Sequence, residues 1–227
     1  MLNRVLKARV FSAAISLIVS LLVLGIPGDP VAPDSRPVWT AYAQSAGGPT
    51  FYSVIAERSE ARYRVREQLA GLSFPNDAVG ATSAIEGRIA LDAQGHVLTG
   101  GSRFVVDLRT LRSDEPRRDN YIRRNTLETD RYPTAIFVPT EVRGVGFPIP
   151  QAGTVSFELV GDLTVRDTTR RTTWEATATI NGPDVSVRAK TAFRFEDFNL
   201  RIPRVSVVLS VEDSIRLETD LLLRRSS

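Results

Sequence analysis

From Phe51 onward the chain alternates apolar and polar residues with a period of two, and this pattern constrains the fold more than any other feature. In an extended strand successive side chains point to opposite faces, so a period of two gives each strand one apolar face. Ala61, Tyr63 and Val65 alternate with Glu60, Arg62, Arg64 and Arg66. Ile85, Gly87, Ile89 and Leu91 alternate with Glu86, Arg88 and Asp92; Phe104, Val106 and Leu108 alternate with Arg103 and Asp107. Val155, Phe157, Leu159, Gly161, Leu163 and Val165 share one face of a long strand, and Trp174, Ala176, Ala178 and Ile180 line its return. Val185, Val187 and Ala189 mark another strand, Val205 to Val211 the next, and the last runs through Ile215, Leu217, Thr219, Leu221 and Leu223.

Turn signals punctuate these runs at Asp92-Ala93-Gln94-Gly95, Arg166-Asp167-Thr168-Thr169 and Asn181-Gly182-Pro183-Asp184. Eight or nine strands joined by tight turns imply an all-β antiparallel sandwich or closed barrel. No helix-length period separates the strands, which argues against a doubly wound α/β fold. One helical segment is expected: Ser113-Asp114-Glu115-Pro116 offers capping oxygens and a first-turn proline, and Arg117 to Leu127 can continue it. Tyr132-Pro133 then forces an extended backbone into the next strand.

Before the strands lies a hydrophobic leader. Arg4, Lys7 and Arg9 precede an uncharged run from Val10 to Ile26, and Ala41-Tyr42-Ala43 suits a signal peptidase. Residues 1–43 are expected to be a signal peptide. The competing reading is an uncleaved membrane anchor followed by a stalk carrying Pro27, Pro30, Pro33 and Pro37. Either way the chain is expected to be exported, periplasmic or secreted, and membrane-associated if the leader stays. Residues 44–50 read as a small-residue linker and 51–225 as one domain. The leader holds four of the 29 basic and two of the 26 acidic residues, so the remainder carries a net charge of only +1. That balance gives no concentrated basic face for nucleic acid. With no cysteine, disulfides, thiolate metal sites and a cysteine nucleophile are excluded.

The side chains that carry chemistry are sparse. His96 is the only histidine and falls in a hairpin loop, where a solvated role is the expectation. Asp114, Glu115, Asp119, Glu128 and Asp130 surround the short helix and read as capping acids and partners for Arg117, Arg118, Arg123 and Arg124. Gly144-Val145-Gly146 lacks the strand–glycine–helix context of a phosphate loop. Phe193, Phe195 and Phe198 read as core rather than as a stacking platform. No catalytic residue, cofactor or metal is expected.

The segment RRDNYIRRNTLETDRYPTAIF (Arg117 to Phe137) and the segment FELVGDLTVRDTTRRTTWE (Phe157 to Glu175) together resemble the YceI family of extracytoplasmic, lipocalin-like β-barrels that bind polyisoprenoid lipids. The Arg118-Asp119 pair, the Tyr132 to Phe137 strand entry and the Gly161 to Val165 strand carry the likeness, with Thr168 and Thr169 placed in the tight turn. Ala78 to Asp92, Ser102 to Leu111 with the loop to Asp114, and Phe195 to Arg225 are similar to further family segments in order and spacing. Two details depart from it: Arg58-Ser59 stands where many members have a His-Ser pair, and Asp167-Thr168-Thr169 where a Gly-x-Thr turn is usual.

The resemblance implies a single eight-stranded antiparallel lipocalin-like barrel with one short helix between strands, acting by binding rather than catalysis. Its implied partner is a long-chain isoprenoid, polyprenyl or isoprenoid-quinone in type, with Ile85, Ile89, Val106, Leu108, Phe137, Phe157, Leu159 and Trp174 lining a tubular pocket. Alternation alone does not distinguish a hollow interior from a solid one, so a close-packed core serving a cell-envelope interaction module is the other reading. An enzyme acting on a lipophilic substrate is a third. Nothing in the sequence requires more than one subunit.

Overall fold

The computed structural model describes residues 48–71 and 73–227; the leader and most of the linker lie outside the described residues. Ten antiparallel strands form one sheet: β1 (Thr50–Val54), β2 (Glu60–Leu69), β3 (Asn76–Thr82), β4 (Ile85–Leu91), β5 (Arg103–Asp107), β6 (Thr134–Arg143), β7 (Ala152–Val165), β8 (Thr168–Asn181), β9 (Asp184–Phe193) and β10 (Val208–Ser226). The order is β1-β4-β5-β6-β7-β8-β9-β10-β2-β3, and β1 also pairs with β10. That last pairing turns the sheet into a closed eight-stranded antiparallel barrel.

The count of ten reduces to eight because two staves are interrupted. A short 3-10 turn at Ala56–Arg58 separates β1 from β2, yet both lie along β10: Phe51 pairs with Ser226 and Glu60 with Asp220. Likewise β3 pairs with β2 and β4 with β1, with Ser83 and Ala84 between them. At each break the inward parity changes, from Tyr52 and Val54 to Ala61 and Tyr63, and from Ala78 and Thr82 to Ile85 and Ile89.

The strands differ from the sequence reading at three places. Val205 to Val211 is not a separate strand: β10 begins at Val208 and continues to Ser226, with a register shift between Val211 and Ile215 that absorbs the change of direction. Thr168 and Thr169 lie in β8 rather than in the turn, because Arg166 takes the left-handed backbone (φ 56°) and closes the hairpin with Asp167 alone. The expected helix is divided: α1 (Pro116–Tyr121) passes into a π turn at Ile122–Thr126, where the Leu127 N–H reaches back to the Ile122 carbonyl.

One glycine is fixed by the pairing. Gly87 of β4 has φ +131°, and a Cβ there would stand 2.0 Å from the Arg103 carbonyl oxygen on β5. No side chain fits between these two backbones.

The outer face is a lattice of charges. Arg64 bonds both Glu218 and Asp77, and Arg62 bonds Glu60 and Asp220. Arg64 and Arg62 hold the Glu218 carboxyl below the usual range. Partial burial pushes Asp77 up, but hydrogen bonds from Arg66 and Arg64 outweigh it, so its pKa is lowered as well.

Candidate functional site

The inward positions build the site. At the end where β4–β5, β6–β7 and β8–β9 connect, Tyr52, Leu91, Ala178, Ile180 and Val185 are buried against one another and pack the barrel solid. Phe147 covers this end by lying against Gly95. Towards the other end the inward residues stop meeting across the axis, and a cavity of about 1030 Å³ remains. It opens between α1, the β2–β3 loop and the segment from Pro203 to Val208. The choice between filled and hollow thus has a divided answer: a packed floor and an open upper chamber.

All eight residues singled out by alternation line this chamber: Ile85 and Ile89 of β4, Val106 of β5, Leu108 just beyond it, Phe137 of β6, Phe157 and Leu159 of β7, and Trp174 of β8. Phe137 and Trp174 meet with ring centroids 5.7 Å apart at 58°, an edge-tilted contact that fixes both rings. The Trp174 indole N–H donates to Thr172 Oγ1, so its polar end is satisfied outside the chamber.

Alternation missed a second group of lining residues because they come from loops and from the helix. Leu111, Ile122 and Leu127 close the upper wall, and Pro203, Val205 and Val207 form the lip. It also missed the polar pair at the top. Glu67 continues the inward parity of Ala61, Tyr63 and Val65, and its side chain is only 8% exposed; Arg118 of α1 reaches it at 2.9 Å. Arg118 also bonds Asp114 at 2.6 Å. The signal that could have found Glu67 is its inward parity, since a carboxylate on such a position needs a partner.

Tyr63 lies flat on Gly80, where a Cβ would come within 2.2 Å of its ring. Its hydroxyl is buried without a hydrogen-bond partner, and burial raises its pKa, so it stands as a neutral phenol.

The acids around α1 are structural. Glu115 caps the helix by accepting from the Arg117 N–H, and Asp119 is buried and accepts from the Ser113 N–H and hydroxyl. Glu128 pairs with Arg166. His96 sits at the packed end with its side chain 78% exposed, bonded to Asp92. Phe198 is fully buried against Phe193, ring centroids 4.5 Å apart. Among the described residues no cluster of His, Cys, Asp or Glu is arranged to hold a metal ion, and no helix is long and apolar enough to cross a membrane. A second concavity on the outer face is lined by charges already paired, such as Glu175 with Lys190 and Arg188 with Asp220.

What this chamber can do follows from its walls. At about 30 Å³ per molecule, 1030 Å³ would hold roughly 34 waters, most of them facing hydrocarbon. Such water is readily displaced by an apolar chain.

Comparison with known proteins gives the same architecture. A family model described as "YceI-like domain" matches residues 52–223. A polyisoprenoid binding domain from Saccharophagus degradans, implicated in plant cell wall breakdown, superposes with a TM-score of 0.58 at 11% identity, covering 77% of this chain and 98% of its own. Burkholderia cenocepacia BcnA gives 0.55 at 16%, covering 74% and 98%. The Campylobacter jejuni YCEI protein gives 0.54 at 13%, covering 70% and 91%. No curated protein matches the chain in sequence.

Proposed function

The chain belongs to the YceI-like family, and on that footing we propose that it binds a long-chain isoprenoid in the upper chamber, outside the cytoplasm, by holding rather than reacting. The single observation that carries this reading is the chamber itself: about 1030 Å³, walled by aliphatic and aromatic side chains, floored by packed core and open at one end. The structural neighbour that binds polyisoprenoid has the same fold, which supports the choice of lipid class. The charged start and apolar run of residues 1–26 support export.

The chemistry of the top favours a neutral lipid. A fatty acid or a phosphorylated lipid would want a free cation deep in the chamber; there Arg118 is already bonded to Glu67 and Asp114, and Arg117, which also lines the cavity, lies exposed at its mouth. The driving force is then contact area. Each buried methylene contributes about 0.8 kcal/mol in gross terms. Large ligands retain only about 0.3 kcal/mol per heavy atom after ordering, so a chain of roughly 40 carbons would bind near −12 kcal/mol, about nanomolar.

The test is extraction. Protein purified from a prenyl-lipid-producing host is extracted with organic solvent and the extract analysed by mass spectrometry. A stoichiometric prenyl alcohol, phenol or quinone is expected. Recovery of no prenyl lipid, together with failure of the delipidated protein to take up a prenyl alcohol from detergent micelles, would refute the reading.

A further inference from the structure

Exposed apolar side chains on this barrel are not scattered. Six large ones are exposed among the described residues: Phe74, Leu98, Ile202, Val205, Val207 and Leu209. Leu98 lies in the β4–β5 connection, at the packed end. The other five all lie at the open end, in the β2–β3 loop, the segment before β10 and the first residues of β10. Single exposed apolar residues need no explanation, whereas a cluster does. Phe74, Leu209 and Val207 stand out at 80%, 68% and 63% exposure, so none is claimed by the core.

The two loops form one edge. The Ala70 N–H donates to the Val207 carbonyl at 2.9 Å, Leu69 pairs with Val208, and the Val208 N–H closes a turn on the Val205 carbonyl. Val205 and Val207 also line the chamber, so apolar surface runs without a break from the interior over the lip. Charge follows a pattern as well. No Asp or Glu occurs from Gln68 to Asn76 or from Asn199 to Val211. Arg201 and Arg204 are exposed and form no ion pair among the described residues. Across the opening Arg117 is exposed too, while Asp114 is bonded to Arg118 and Glu115 caps α1.

We propose that this lip is a membrane-docking surface. Phe74, Ile202, Val205 and Val207 enter the acyl boundary of an anionic bilayer while Arg201 and Arg204 meet its phosphates, setting the chamber opening onto the lipid. Apolar tips flanked by unpaired arginines and free of acids are the composition of an interfacial anchor. Continuity with the chamber gives the docking a purpose: an insoluble chain passes between bilayer and barrel without crossing water. That purpose rests on the isoprenoid reading; the docking is measured without any prenyl ligand.

The absence of cysteine makes the test direct. Phe74→Cys and Leu98→Cys each accept one environment-sensitive fluorophore. Vesicles of phosphatidylcholine with phosphatidylglycerol should shift the emission of the dye at position 74 to the blue and leave that at position 98 unchanged. In co-sedimentation, Phe74→Ser combined with Ile202→Ser, both outside the chamber lining, should weaken vesicle binding about tenfold or more. Arg201→Gln and Arg204→Gln should each weaken it about fivefold, on phosphatidylglycerol vesicles only. The double serine variant should keep the wild-type melting curve and still load a prenyl alcohol from micelles. Wild-type protein that ignores vesicles of phosphatidylcholine both with and without phosphatidylglycerol, or a double variant that binds them as well as wild type, overturns the proposal. So does a double variant whose only change is loss of a dimer in sedimentation equilibrium, which would make the lip a subunit contact. Wild type that docks on vesicles yet takes up no prenyl lipid would sink the cargo reading and leave the docking standing.

Discussion

Replacing Ala176 by leucine separates a hollow barrel from a solid one by the sign of a single measurement. Ala176 is 5% exposed, points inward from β8 and lines the chamber; its partners across the sheet, Phe157 and Ala189, line it too. Leucine adds three carbons at this point. If they enter free space beside apolar walls, burial contributes up to about 2.4 kcal/mol at about 0.8 per carbon. Ordering the longer side chain takes back about 0.5–1 kcal/mol. The net is about 1.5 kcal/mol of added stability, or a rise in Tm of about 3–6 °C for a domain of this size. In a close-packed interior the same three carbons would overpack it, costing about 1–3 kcal/mol and lowering Tm by a similar amount. The new side chain also takes space from the ligand, so prenyl-alcohol binding should weaken by about 2 kcal/mol, roughly thirtyfold. The assay is thermal unfolding of delipidated protein by circular dichroism, with affinity read by displacement of a fluorescent prenyl probe. A fall in Tm of several degrees would refute the hollow chamber. A rise with unchanged affinity would show that the ligand lies elsewhere.

Three further outcomes are expected. Gly87→Ala should destabilise the fold by about 3 kcal/mol or more, read as a lower urea midpoint, because its Cβ would meet the Arg103 carbonyl and its φ of +131° suits only glycine. Glu67→Ala should cost about 3 kcal/mol, since it leaves Arg118 at the top of the chamber with Asp114 alone; equal urea midpoints for variant and wild type would show that the pair contributes nothing. The third concerns acid. Glu218 and Asp77 have pKa values lowered in the folded state, so their stabilisation is complete above their unfolded values of 4.5 and 3.8 and is lost as pH falls through the lower folded ones. Tm should therefore fall in acid, and Arg64→Met should flatten that fall; an unchanged slope in the variant would assign it to other carboxylates.

The strands were legible because burial on one face leaves a mark at every second residue, as in Phe157, Leu159, Leu163 and Val165. The mark reports only that a side chain is apolar, and that is why Val205 to Val211 misled. Val205, Val207 and Leu209 keep the alternation of a half-buried strand, yet the first two belong to the lip and all three are exposed. Closure of the ring was not legible in the alternation: the pairing of Phe51 with Ser226 joins residues from opposite ends of the barrel domain, and only the family resemblance implied it. The chamber was half legible. Parity named the eight wall residues, whereas its volume depends on how far the opposed strands stand apart. The upper wall at Leu111, Ile122 and Leu127 is set by the capped helix and its π turn, which carry no period of two.

β10 has a consequence for how the molecule is made. It is the stave that receives β1, β2 and β9, and its final residues complete the ring with β1. Until that stretch arrives, β1 has one row of amides without a partner and β9 another, each a template for a neighbouring chain. Joins of such long sequence separation form late. A polypeptide lacking its tail would thus be a sheet with two sticky margins rather than a slightly shortened barrel, and the interval before the tail docks is when this protein is most in need of a chaperone.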